Sequence, residues 1–81
     1  MKAELVHILM PDLGDVSKAV VVQWLQPIHA QLQEGDDLLE VETEKTTFVI
    51  PSPVSGRLTK ILTPETTAIA TGDILGEIEA A

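Results

Sequence analysis

The chain has 81 residues, 44% hydrophobic and 22% charged, the make-up of one globular domain rather than of two or of a disordered tail. Five Lys/Arg against thirteen Asp/Glu leave a formal net charge of -8, which repels phosphate backbones and anionic lipid and argues against nucleic acid and membranes as partners. The absence of cysteine excludes a disulfide framework and any Cys-based zinc site, so the apolar core alone must hold the fold.

That core has a restricted palette. Val, Ile and Leu supply 25 residues, Trp and Phe one each and Tyr none, which favours β structure. In chain order, a short strand ends at Pro11, a loop runs through Asp15, and a strand follows around Val20 to Leu25. Pro27 then marks a turn, Gly35-Asp36 a second turn, and a strand of alternating character runs through Leu38 to Glu42. The same series returns: a strand ending at Pro51, a strand over Arg57 to Leu62, a turn at Pro64, the turn Gly72-Asp73 and a last alternating strand. An offset of 37 superimposes Leu25 on Leu62, Pro27 on Pro64, Gly35 on Gly72, Asp36 on Asp73 and Glu42 on Glu79. For the first strand an offset of 40 pairs Ile8 with Phe48, Met10 with Ile50 and Pro11 with Pro51.

These observations predict a single domain over 1–81, with halves of roughly 1–43 and 46–81 related by a pseudo-twofold axis. The expected fold is all-β, a sandwich or flattened barrel to which each half contributes strands on both faces. Gly35, Gly56 and Gly72 are the expected structural turns. Symmetry also predicts that the termini and the Glu44-Lys45 region lie at opposite ends. No apolar run approaches the length of a membrane span, and Lys2, Glu4 and His7 interrupt the first ten residues, so no targeting segment is visible. The expected setting is an aqueous interior.

Between the strand through Leu38 to Glu42 and the strand ending at Pro51, Glu44-Lys45 reads as a two-residue hairpin loop. That register pairs Thr43 with Thr46, Val41 with Phe48 and Leu39 with Ile50 on one face, and sets Glu42 against Thr47 and Glu40 against Val49 on the other. The loop lacks the Asn-Gly or Gly-X chemistry of tight hairpins, so either its turn is of another type or its residues are retained for another purpose. Glu34, Asp36, Asp37, Glu40, Glu42 and Glu44 precede Lys45 with no basic residue among them, making Lys45 an isolated, acylatable amine at an acidic tip.

Val41-Glu42-Thr43-Glu44-Lys45-Thr46-Thr47, followed by Pro51-Ser52-Pro53-Val54-Ser55-Gly56, resembles the attachment hairpin of the lipoyl domains of 2-oxo acid dehydrogenase acyltransferases. Met10-Pro11-Asp12-Leu13-Gly14 is similar to the start of those domains. Glu44 and Thr46 stand where the family usually has Asp and often Ala. The resemblance implies two four-stranded antiparallel sheets in a flattened β-barrel, with lipoic acid in amide linkage on Lys45. It further implies a carrier, not a catalyst, that moves acyl groups and reducing equivalents. Its implied partners are a thiamine-dependent 2-oxo acid decarboxylase, an acyltransferase core, dihydrolipoamide dehydrogenase and a lipoate ligase or lipoyl transferase. Recognition would fall to Glu42, Thr43, Glu44, Thr46 and Thr47 and to Asp15, Val16 and Ser17 of the first loop. The isolated domain is expected to be monomeric, in the bacterial cytoplasm or the mitochondrial matrix.

Two rivals use the same architecture. A biotin carboxyl carrier also modifies a hairpin lysine, but its lysine is normally flanked by methionine, and both methionines here lie far off, at Met1 and Met10. An unmodified lipoyl-like scaffold would leave Lys45 an ordinary loop lysine. Independent catalysis finds no support: Ser17, Ser52 and Ser55 lack a nucleophile-elbow context, and His7, His29, Asp36 and Asp37 have no metal-ligand spacing.

Overall fold

A computed structural model describes residues 4–12 and 18–80. The described residues form eight strands: β1 (Glu4–Leu9), β2 (Lys18–Trp24), β3 (Gln31–Leu32), β4 (Asp37–Glu42), β5 (Thr47–Pro51), β6 (Gly56–Ile61), β7 (Ala68–Ala70) and β8 (Ile74–Ala80). One sheet has the order β1-β8-β6-β3 and the other β5-β4-β2-β7, with every ladder antiparallel. Among the described residues no ladder joins them, so the expected barrel is realised as its flattened-sandwich form. The edge strands β3 and β7 have two and three residues, too short to carry a sheet around a corner and close it.

The alternation along the strands selects what lies between the sheets. Ile8, Val21, Leu38, Leu39, Val41, Leu58, Leu75 and Ile78 are at most 1% exposed, and Trp24, Phe48 and Ile61 pack against them from the margins. Leu38 and Leu39 are adjacent yet both buried because the ladder slips between Asp37 and Leu39, and a bulge lets neighbouring side chains turn to the same side. Three buried hydroxyl residues, Thr43, Ser52 and Thr63, each donate to a backbone carbonyl.

Every strand has a twin in the other sheet, and the twofold extends to single hydrogen bonds. Val21 N–H donates to Thr67 and Leu58 N–H to Ala30; Leu25 N–H donates to Leu38 and Leu62 N–H to Leu75. Gly35 and Gly72, at φ 92° and 89°, turn the chain at equivalent points where a side chain would be strained. Gly56 differs from the other two. It is not in a turn but opens β6 between Leu32 and Ala80, and an added Cβ would run into the Glu79 carbonyl.

The first strand corrects the expected offset of 40. Met10 donates its N–H to the Asp73 carbonyl and its own carbonyl accepts from Gly72 N–H, while Ser52 donates its N–H to the Asp36 carbonyl and its carbonyl accepts from Gly35 N–H. Met10 is therefore the twin of Ser52 and Ile8 of Ile50, an offset of 42. The excess over 37 means that the first half carries five more residues between its first two strands.

Near the twofold, the Trp24 indole N–H donates to the Thr63 carbonyl at 2.8 Å, and its ring reaches the Gly76 and Ile8 region of the opposite sheet. The C-terminal ends of β2 and β6 thus overlap, and their other ends run outwards. The β4–β5 turn and the Glu4–Ala80 pair occupy opposite poles of a body 43 × 19 × 19 Å, as symmetry predicts.

Candidate functional site

The ladder between β4 and β5 has the expected register, with Glu42 opposite Thr47, Val41 opposite Phe48, Glu40 opposite Val49 and Leu39 opposite Ile50. Val41 and Leu39 are fully buried, which anchors the hairpin and carries Glu44-Lys45 to its tip.

How the turn closes without glycine is settled by one side chain. Thr43 N–H donates to the Thr46 carbonyl at 2.8 Å, and the Thr43 hydroxyl donates to the same carbonyl at 2.9 Å. That hydroxyl also accepts from the N–H groups of Lys45 and Thr46, at 3.1 Å each. Neither Glu44 nor Lys45 has positive φ. The turn is therefore not the mirror-image type that calls for Asn-Gly; a threonine hydroxyl supplies what that geometry would have supplied. Thr43 is 8% exposed, so its bonds are shielded from water.

Glu42, Glu44, Lys45, Thr46 and Thr47 are all exposed. Among the described residues the Lys45 ammonium forms no ion pair, although Glu44 precedes it and Glu42 lies three residues back. Its amine is held out from the sheet on a fixed backbone, an arrangement that fits a covalently attached group projecting into solvent. Asp15, Val16 and Ser17 lie outside the described residues. Among the described residues no group of three or more His, Asp or Glu could hold a metal ion.

Beside the turn the sheet end forms an open depression of about 450 Å³, lined by Lys18, Ala19, Val20, Glu42, Glu44 and Ala68. Sequence reasoning did not single out Val20 or Ala68. The available signal was a break in the repeat: at offset 37 Val20 stands where the second half has Arg57, and Ala68 where the first half has Gln31.

Comparison with known proteins accords with the fold and the hairpin. The dihydrolipoyllysine-residue succinyltransferase component of the 2-oxoglutarate dehydrogenase complex from Buchnera aphidicola is 36% identical over 74 residues, covering 90% of this chain and 19% of that one. The dihydrolipoyllysine-residue acetyltransferase component of the pyruvate dehydrogenase complex from Staphylococcus epidermidis is 35% identical over 72 residues, covering 88% and 17%. The chain thus spans less than a fifth of the length of these curated relatives. Its fold matches the solution structure of the lipoyl domain of the 2-oxoglutarate dehydrogenase complex from Azotobacter vinelandii, with TM-score 0.73, 18% identity and coverage of 94% and 99%. A family model described as "Biotin-requiring enzyme" matches residues 6–78. With that match running from β1 into β8 through the whole hairpin, the chain belongs to the biotinyl/lipoyl-attachment family.

Proposed function

We propose that this domain is a lipoyl carrier whose Lys45 Nζ forms an amide with the carboxyl group of lipoic acid. The observation that carries the reading is the exposed Lys45, without an ion pair among the described residues, on a turn locked by the Thr43 hydroxyl, within a chain of this family. Bound lipoic acid would supply thiol–disulfide and thioester chemistry. The chain's own residues do the rest. The hairpin holds the amine away from the sheet, Thr43 keeps the Lys45 backbone in one presentation, and Glu42 and Glu44 surround it with negative charge that a ligase or decarboxylase can read. Acylation removes the Lys45 charge and leaves the tip more acidic.

As a carrier the domain performs no catalysis itself; it raises the local concentration of an attached group at successive sites. The partners in this reading are a thiamine-dependent 2-oxo acid decarboxylase, an acyltransferase core and dihydrolipoamide dehydrogenase, with a lipoate ligase or lipoyl transferase loading Lys45. A bacterial cytoplasm or mitochondrial matrix is part of the same proposal.

Intact mass and peptide mapping after incubation with a lipoyl ligase, ATP and lipoate, beside a biotin ligase with ATP and biotin, provide the test. The expected result is one lipoyl increment on Lys45 that is absent from Lys45→Arg. A biotin increment instead moves the chain to the carboxylase carriers, and no increment in either reaction makes it an unmodified scaffold.

A further inference from the structure

We propose that the depression beside the hairpin is a docking place for the distal, apolar end of an acyl group attached to Lys45, so that the attached arm has a resting position on its own domain. The inference rests on the reading of Lys45 as an acylated residue and adds a binding site to it.

The twofold supplies an internal control. A second depression, of about 290 Å³, lies at the opposite pole and is lined by Gln31, Gly56, Arg57, Glu79 and Ala80. These are the twins of Ala68, Ala19, Val20, Glu42 and Thr43, so both hollows arise from the same sheet-end backbone. Their contents differ where it matters. At the far pole the row across the sheet reads Gln31, Arg57, Glu79, with the Arg57 guanidinium 3.8 Å from the Glu79 carboxylate. At the Lys45 pole the equivalent row reads Ala68, Val20, Glu42, and Val20 is 42% exposed. The fold therefore does not require apolar residues there, since the same backbone accepts an arginine and a glutamine. The larger hollow, at the pole that carries the acylatable lysine, presents Val20 and Ala68 among the charged side chains of Lys18, Glu42 and Glu44.

The occupant follows from the shape. An open hollow whose exposed apolar surface is Val20 and Ala68 offers little area to a freely diffusing ligand. A group tethered at its rim meets it at an effective concentration in the millimolar range, where weak apolar contact suffices. Glu44, the residue before Lys45, is part of that rim. A carrier also gains from a weak site, because the attached group must leave it at each transfer.

The test needs no ligase. The chain has no cysteine, so Lys45→Cys introduces a unique thiol, which an iodoacetamide bearing an eight-carbon chain alkylates with loss of iodide. Methyl NMR spectra are compared with those of the same variant alkylated by plain iodoacetamide. The expected result is long-chain-dependent shifts at the Val20 and Ala68 methyls. The accompanying long-chain-dependent shifts of the Ala19 and Ile69 backbone amides, which both proteins retain, should vanish when Val20→Arg and Ala68→Gln install the opposite pole's residues on an unchanged backbone. Shifts confined to residues 43–46, or shifts that persist in the doubly substituted protein, overturn the proposal. Failure of ligase loading is read in a separate experiment and bears only on the carrier assignment.

Discussion

Thr43 is the residue on which the tip depends, and its twin shows what the fold itself requires there. The equivalent position in the second half is Ala80, which pairs with Glu4 and Gly56 without a hydroxyl. The Thr43 oxygen is accordingly dedicated to the turn. Thr43→Val, which keeps the shape and removes the hydroxyl, should cost about 1–2 kcal/mol and expose the Lys45 and Thr46 amides to exchange, whereas Thr43→Ser should retain most protection. Urea unfolding and amide exchange measure both effects. Thr66 and His29 are a second informative pair, being the non-glycine residues with positive φ among the described residues, at 70° and 74°. Each sits third in a turn closed by a hydrogen bond to Pro64 or Pro27, where glycine is the usual occupant. Thr66 is β-branched and more strained there, so Thr66→Gly should raise stability by about 0.5–1 kcal/mol, more than His29→Gly, in parallel thermal melts.

Among the elements, the β4–β5 hairpin was the most legible from sequence, because a two-residue loop sets the register and Val41, Leu39 and Ile50 can satisfy it in only one phase. Its inward face predicts that Val41→Asp, which places a carboxylate at a site with 0% exposure, costs about 3–5 kcal/mol, while Lys45→Ala leaves the melt unchanged. A wild-type midpoint for Val41→Asp in thermal unfolding would contradict the packing described. The turn type was less legible, since threonine is far less specific a turn signal than Asn-Gly. The twin of β1 was misplaced by two residues for a definite reason. Offsets of 40 and 42 put the same faces inwards, because side chains alternate with a period of two, and the shared Pro11 and Pro51 favoured the wrong one. The bonds from Met10 and Ser52 to the two Gly-Asp turns, and the ladder partners Gly76 of Ile8 and Leu39 of Ile50, distinguish them. The apolar hollow was legible only as an exception to the repeat, at Val20 and Ala68.

For the molecule as a whole, each sheet draws two strands from each half, so neither half can complete a sheet alone. Unfolding should be one cooperative event. The single Trp24, at the contact between sheets, should report the same denaturant midpoint by fluorescence as the strands do by far-UV circular dichroism. Separate midpoints would mean that one half persists without the other. The pairing of Glu4 with Ala80 at the pole farthest from Lys45 has a mechanical consequence. Tension applied to the two ends of the described fold pulls β1 and β8 apart from the same side, so the rungs Glu4–Ala80, Leu5–Glu79 and Val6–Ile78 open one after another instead of sharing the load. Under such a pull the sandwich unzips from that pole, and the turn that carries Lys45 is the last part to feel it.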